Sequence, residues 1–299
     1  MMECSKKDNA IPQEAFDWYD EYAHGVIDRR EFMRRLSALA VVGFSMATLT
    51  SALLPNYALA EQVSFNDPDI TASYVTYSSP KGYGEARGYL VRPTSAGPYP
   101  VVLVVHENRG LNPYIEDVAR RLAKVGYMAL APDALFPVGG YPGNDDEGRA
   151  MQSKLDRTKI EHDFIASALY LKKHEQSNGK LGAVGFCFGG YIVNMLAASL
   201  PQTLDAGVPF YGTPAAESLV PKVKGPLMLH FASLDDRVNK TWPGYERVLK
   251  ENHAQYQAFV YEGVNHGFHN DSTARYADKE AELAWQRTLD FFKKHLRDA

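Results

Sequence analysis

Gly185-Phe186-Cys187-Phe188-Gly189-Gly190 stands between the apolar run Leu181–Phe186 and the apolar segment Tyr191–Leu200, and the passage of the chain through it decides the fold. A strand that turns into a helix at one residue forces strained backbone angles there, and the neighbouring side chains crowd it. Glycines two positions either side relieve the crowding. The pattern glycine–x–nucleophile–x–glycine lifts Cys187 above a sheet, at a helix N-terminus whose partial positive charge favours a thiolate. It also points the Phe188 N–H where an oxyanion would form. The competing reading is a buried cysteine in a glycine-rich turn.

Outward from this elbow, short apolar runs alternate with amphipathic segments. Upstream, Ser73–Tyr77 and Ala86–Val91 are strand-like and separated by Gly82 and Gly84, which predicts a hairpin. Val101–Val105 is an uninterrupted buried strand, Asn112–Val125 has helical spacing, and Tyr127–Ala131 is the next strand. Phe164–Leu171 is helical and Asn178-Gly179 a turn. Downstream come strands at Ala206–Tyr211, Leu227–Phe231 and Tyr256–Tyr261, a helix near Tyr245–Glu251, and a last helix from about Tyr276 to Leu296. Strands alternating with helices predict an α/β fold, a mostly parallel central sheet covered on both faces. The Gly-, Pro- and acid-rich segment Phe136–Asp156 reads as an irregular binding loop.

The rest of a nucleophilic site follows in order. Asp235 and Asp236 come after the strand ending at Phe231, where an acid belongs, and His266 comes after the strand ending at Tyr261, where a base belongs. His266 would take the thiol proton and return it to the leaving group, while the acid holds its tautomer. His106-Glu107-Asn108-Arg109-Gly110 follows the strand at Val101–Val105, and the Asn108 amide is the candidate second oxyanion donor. A blander reading makes Glu107 and Arg109 a surface ion pair.

Four stretches resemble the dienelactone hydrolases (carboxymethylenebutenolidases) of the α/β-hydrolase superfamily: residues 106–110, Ser177-Asn178-Gly179-Lys180 leading into the elbow, His230 through Val238, and His266-Gly267-Phe268. The resemblance implies a Cys187–His266–Asp235 triad, with Asp236 its solvent-facing neighbour, and a role for Glu107 in generating the thiolate. That family has an arginine four residues after the catalytic histidine to grip a substrate carboxylate; here the residue is Asn270. Arg275, Arg109 and Arg149 are candidate substitutes outside the motif position, so the reaction class carries over and dienelactone itself does not. The expected function is hydrolysis of small carboxylic esters or lactones without cofactor. The alternatives are a non-catalytic envelope ligand-binding protein on the same scaffold, favoured by Asn270, and a thiol redox protein, disfavoured by the lack of a second nearby cysteine.

The 299 residues have ordinary globular composition, and a net charge of −4 excludes the concentrated basic face that nucleic acid requires. The nine histidines show no ligand-spaced cluster, so no metal is expected. Residues 1–60 read separately from a single catalytic domain over 61–299. Arg29-Arg30, then Phe32, the apolar run Leu36–Leu54, Pro55 and Ala58-Leu59-Ala60 have the order of an export signal of twin-arginine type with cleavage after Ala60. That predicts a periplasmic or otherwise exported protein, with the export machinery as partner. The alternatives are a retained membrane anchor and a buried helix of a cytoplasmic protein. Cleavage would leave Cys187 as the one cysteine, Cys4 being removed. Ala15–Tyr22 is aromatic and acidic, with no role assigned.

Overall fold

The computed structural model describes residues 11–40, 46, 49, 53 and 55–297. Eight strands form one sheet: β1 (Ile70–Ser79), β2 (Gly84–Pro93), β3 (Tyr99–Val105), β4 (Met128–Pro132), β5 (Ser177–Phe186), β6 (Ala206–Phe210), β7 (Leu227–Ala232) and β8 (Tyr256–Tyr261). Their order is β1-β2-β4-β3-β5-β6-β7-β8. The β1–β2 hairpin and the β2–β4 pair are antiparallel, and every later pair is parallel. Strands β3, β4, β6 and β7 are buried along their whole length, which is why their sequences read as continuous apolar runs without alternation.

Helices α1 (Gln13–Ala23) and α2 (Arg29–Ala40) precede the sheet. The other helices of eight residues or more are α3 (Pro113–Lys124), α4 (Asp145–Gln152), α5 (Arg157–Lys172), α6 (Phe188–Ser199), α7 (Trp242–Glu251) and α8 (Asp278–Phe292), with a π-helical turn, Lys293–Arg297, after α8. Phe164, Leu171, Ile192, Leu196 and Leu249 bring α5, α6 and α7 onto one face of the sheet. Ile115, Val118, Leu122, Ala284 and Phe292 bring α3 and α8 onto the other. This is the expected α/β-hydrolase arrangement, a largely parallel sheet between two helical layers.

Two local expectations differ. The Asn178-Gly179 turn lies inside β5, where Gly179 at φ +84° accompanies a register shift against β3. The supposedly irregular stretch 136–156 contains α4, whose acids Asp145, Asp146 and Glu147 fill its first turn behind the Asn144 cap. Acids there complement the helix dipole, so their polarity misleads when read as loop composition.

The N-terminal helices have a core of their own. Ala15, Tyr19, Tyr22 and Ala23 of α1 bury against Phe32 and Leu36 of α2 and against Leu53, with Tyr22 and Phe32 stacked at 4.9 Å between centroids. Arg29 and Arg30 are exposed at the start of α2. The rest of the Leu36–Leu54 run beyond Ala40, apart from residues 46, 49 and 53, and Cys4 lie outside the described residues. Among the described residues no helix is long and apolar enough to cross a membrane.

Candidate active site

Cys187 caps α6 with φ 57° and ψ −112°, a conformation that costs a non-glycine residue energy and is held by its surroundings. The flanking glycines show what holds it. A Cβ on Gly185 would lie 2.2 Å from the Gly189 carbonyl oxygen, and one on Gly189 would lie 2.2 Å from the Val105 oxygen. The Cys187 N–H donates to the Phe210 carbonyl at 3.1 Å, tying the elbow to β6.

Asp235 follows β7 and caps the one-turn helix Asp236–Asn239, its Oδ1 accepting from the Val238 N–H at 3.1 Å. Its Oδ2 lies 2.5 Å from His266 Nδ1. Asp235 is buried and Asp236 exposed, which separates the two acids that the sequence left side by side. His266 Nε2 is buried without a hydrogen-bond partner. Cys187 Sγ and the facing nitrogens of His266 and His24 lie within 4.8 Å of one another.

The electrostatics follow from this packing. Burial disfavours the His266 cation, but Asp235, then Asp20 and Cys187, outweigh it and raise the imidazole to about 10. Burial also opposes ionisation of the Cys187 thiol, yet His266 and His24 hold it well below its ordinary value. For Asp235, burial is outweighed by His266 and the carboxyl stays below the usual range. Both shifts favour a thiolate beside an imidazolium, the form in which cysteine is nucleophilic.

Glu107 is buried, so it is not part of a surface ion pair. Burial, partly offset by Arg109, raises its carboxyl, and Asn270 Nδ2 donates to its Oε2 at 3.0 Å. Arg109 is also buried and pairs with Asp145 of α4 at 2.7 Å. The other candidate carboxylate grips are occupied by α1. Arg149 donates to the Tyr22 carbonyl at 2.6 Å and lies 4.1 Å over its ring. Arg275 lies 4.9 Å from the Tyr19 ring centre, with Nη1 4.0 Å from Asp20 Oδ1. Asn108 follows β3 beside the elbow, and its side-chain amide donates to the Ala23 carbonyl at 2.8 Å.

Sequence reasoning missed His24, Asp20 and Arg237. His24 Nε2 is 3.3 Å from Cys187 Sγ and 2.9 Å from Arg237 Nη2. Ala15, Tyr19, Tyr22 and Ala23 recur at helical spacing, which marks a packed helix face in the sequence without naming its partner. His24, Cys187 and His266 offer three metal-type ligands close together. Arg237 sets a guanidinium against one of the three donors, which suits a thiolate and not a cation. A cavity of about 240 Å³ opens on Cys187 between His24, Asn108, Phe188, Tyr191, Tyr211, Thr213, Arg157 and Arg237.

Comparison with known proteins agrees with this geometry. The model of the dienelactone hydrolase family matches residues 86–296, and a model described as YqhI-like matches residues 2–41. A Synechocystis protein named "Putative carboxymethylenebutenolidase" is 32% identical over 77% of this chain and 99% of its own length. An Escherichia coli protein named "Putative hydrolase fragment YghX" is 67% identical over 37% of this chain and 95% of its own. The crystal structure titled "Putative Dienelactone Hydrolase" from Klebsiella pneumoniae superposes with a TM-score of 0.66 at 28% identity, covering 75% of this chain and 99% of that one. With the elbow cysteine, the buried Asp235–His266 pair and a family match over most of the sheet, the chain belongs to the dienelactone hydrolase family.

Proposed function

We propose that this protein hydrolyses small carboxylic esters or lactones through Cys187, His266 and Asp235. The observation that carries the reading is His266. Its Nδ1 is held by Asp235 at 2.5 Å, and its Nε2, buried and unpartnered, faces the site of a strained cysteine. The thiolate attacks the carbonyl carbon, and the Phe188 and Asn108 amides receive the oxyanion. His266 protonates the departing oxygen, then takes a proton from the water that cleaves the thioester. Glu107, buried beside the thiol, disfavours a thiolate while ionised and permits it while protonated, which fits the activating role the resemblance implies. The cavity of about 240 Å³ favours a small acyl group. Asn270 is committed to Glu107, which supports a substrate other than dienelactone.

The test is turnover of p-nitrophenyl acetate and a lactone panel by the wild type, Cys187→Ala and His266→Ala. Loss of turnover in both variants is expected, and undiminished activity in both would refute the triad. Saturable binding of ligand with no turnover in any form would instead favour a binding protein.

Arg29-Arg30 and the apolar run behind them support export, and cleavage after Ala60 would remove α1 and α2. The burial of Tyr19 and Tyr22 against site arginines supports a functional form that keeps both helices. The intact mass of the protein from its own cells, with its cell fraction, decides between them.

A further inference from the structure

We propose that His24, carried at the end of α1, is a second imidazole serving the Cys187 sulfur, so that the N-terminal helix completes the catalytic site. The inference rests on the hydrolase reading above. It concerns a residue outside the segment 86–296 that matches the hydrolase family.

The second imidazole, like the first, is anchored through Nδ1, but by a backbone carbonyl. His24 Nδ1 donates to the Asp20 carbonyl at 2.8 Å and lies 3.3 Å from the Asp20 carboxylate. That fixes the proton on Nδ1 and leaves a lone pair on Nε2, 3.3 Å from Cys187 Sγ. The two rings meet edge to face, 5.0 Å between centroids. His24 and His266 are thus two imidazoles facing one sulfur, His266 held by the Asp235 carboxylate and His24 by the Asp20 backbone carbonyl with the Asp20 carboxylate nearby. The charged groups facing them are Glu107, Arg237 and Arg275.

Helix α1 is fixed in place, as a catalytic element must be. Asn108 donates to the Ala23 carbonyl, Arg149 to the Tyr22 carbonyl, and the guanidiniums of Arg109 and Arg275 lie over the Tyr19 ring. It does not seal the nucleophile. With the helix docked, the cavity on Cys187 persists and His24 forms part of its wall.

Two imidazoles allow the protons to be divided. The thiol proton passes to His24 Nε2, and Arg237 Nη2, 2.9 Å from that nitrogen, must release it as the proton arrives. The new S–C bond forms as the carbonyl π pair moves to oxygen. On collapse the C–O bond breaks, and the leaving oxygen takes its proton from the His266 imidazolium. Neutral His266 then removes a proton from water as it attacks the thioester. Expulsion of the sulfur restores the thiolate, with His24 holding the original thiol proton. The net change is ester plus water to acid plus alcohol.

The experiment uses the full chain and reads two things: the pH dependence of Cys187 alkylation by iodoacetamide, and kcat on p-nitrophenyl acetate. His24→Gln and His24→Gly are compared with Glu14→Ala, an exposed position on the same helix. The expected result is that both His24 variants lose roughly 10²-fold in kcat, the scale of a general acid–base group. Their alkylation at pH 6 slows about tenfold, one pH unit of thiolate population. Added imidazole restores His24→Gly, which simple undocking of α1 would not allow. Unchanged or faster turnover in the His24 variants, unchanged alkylation, or loss without imidazole rescue overturns the proposal. Alkylation reports on the thiol even if no ester is hydrolysed, so failure of the hydrolase reading is distinguishable from failure of this one.

Discussion

Asn270 Nδ2 donates to Glu107 Oε2 at 3.0 Å across 163 positions of sequence, and both residues are buried. The asparagine that replaces a family arginine therefore secures the carboxyl beside the nucleophile. Asn270→Leu removes that donor and leaves a buried acid short of a partner. A loss of roughly 1–3 kcal/mol is expected, read as a lower urea midpoint.

Arg109 and Asp145 form a buried ion pair at 2.7 Å, and Tyr57 and Tyr141 also donate to the same carboxylate. Asp145→Ala would strand the guanidinium, at a cost of roughly 3–5 kcal/mol. The double variant Asp145→Leu with Arg109→Leu should recover much of that loss, because no uncompensated charge remains. Urea denaturation of the two variants checks both halves.

Folding raises His266 to about 10 from an ordinary value of 6.5. A group bound more tightly to its proton in the folded state stabilises the fold fully below its unfolded value, and that contribution is lost as pH climbs through the folded one. Asp235 is shifted downward, so its contribution is present above its unfolded value and lost as pH falls through the folded one. The lowered Cys187 thiol contributes with the opposite sign over the same window, so the decline is read in a Cys187→Ser background, whose urea midpoint should fall between pH 7 and pH 10. Asp235→Asn in that background should decline less over that window, and an equal decline would contradict the assigned ion pair.

The sheet and the triad were legible because their causes are local. Four of the strands are buried on both faces and announce themselves as apolar runs. The elbow glycines are dictated by backbone oxygens 2.2 Å from any added Cβ. Asp235 and Asp236 stand side by side, and in the sequence only the family resemblance favoured Asp235; burial of Asp235 and exposure of Asp236 agree with that choice. The N-terminal part was not legible, for a physical reason. Paired arginines before an apolar run have the order of an export signal, while the apolar spacing of Ala15, Tyr19 and Tyr22 within α1 identifies a packed face without naming what it packs on. Tertiary contacts, above all that of His24 with Cys187, 163 positions away, show that this helix adjoins the chemistry.

The most direct test of the central claim is the intact mass of the protein mixed with p-nitrophenyl acetate and quenched in acid within the first turnovers. An acetyl adduct on Cys187, assigned by peptide mapping, is expected. It should accumulate when His266→Ala slows deacylation and be absent from Cys187→Ala. Hydrolysis by Cys187→Ala at the wild-type rate, or an adduct on another residue, would contradict the account.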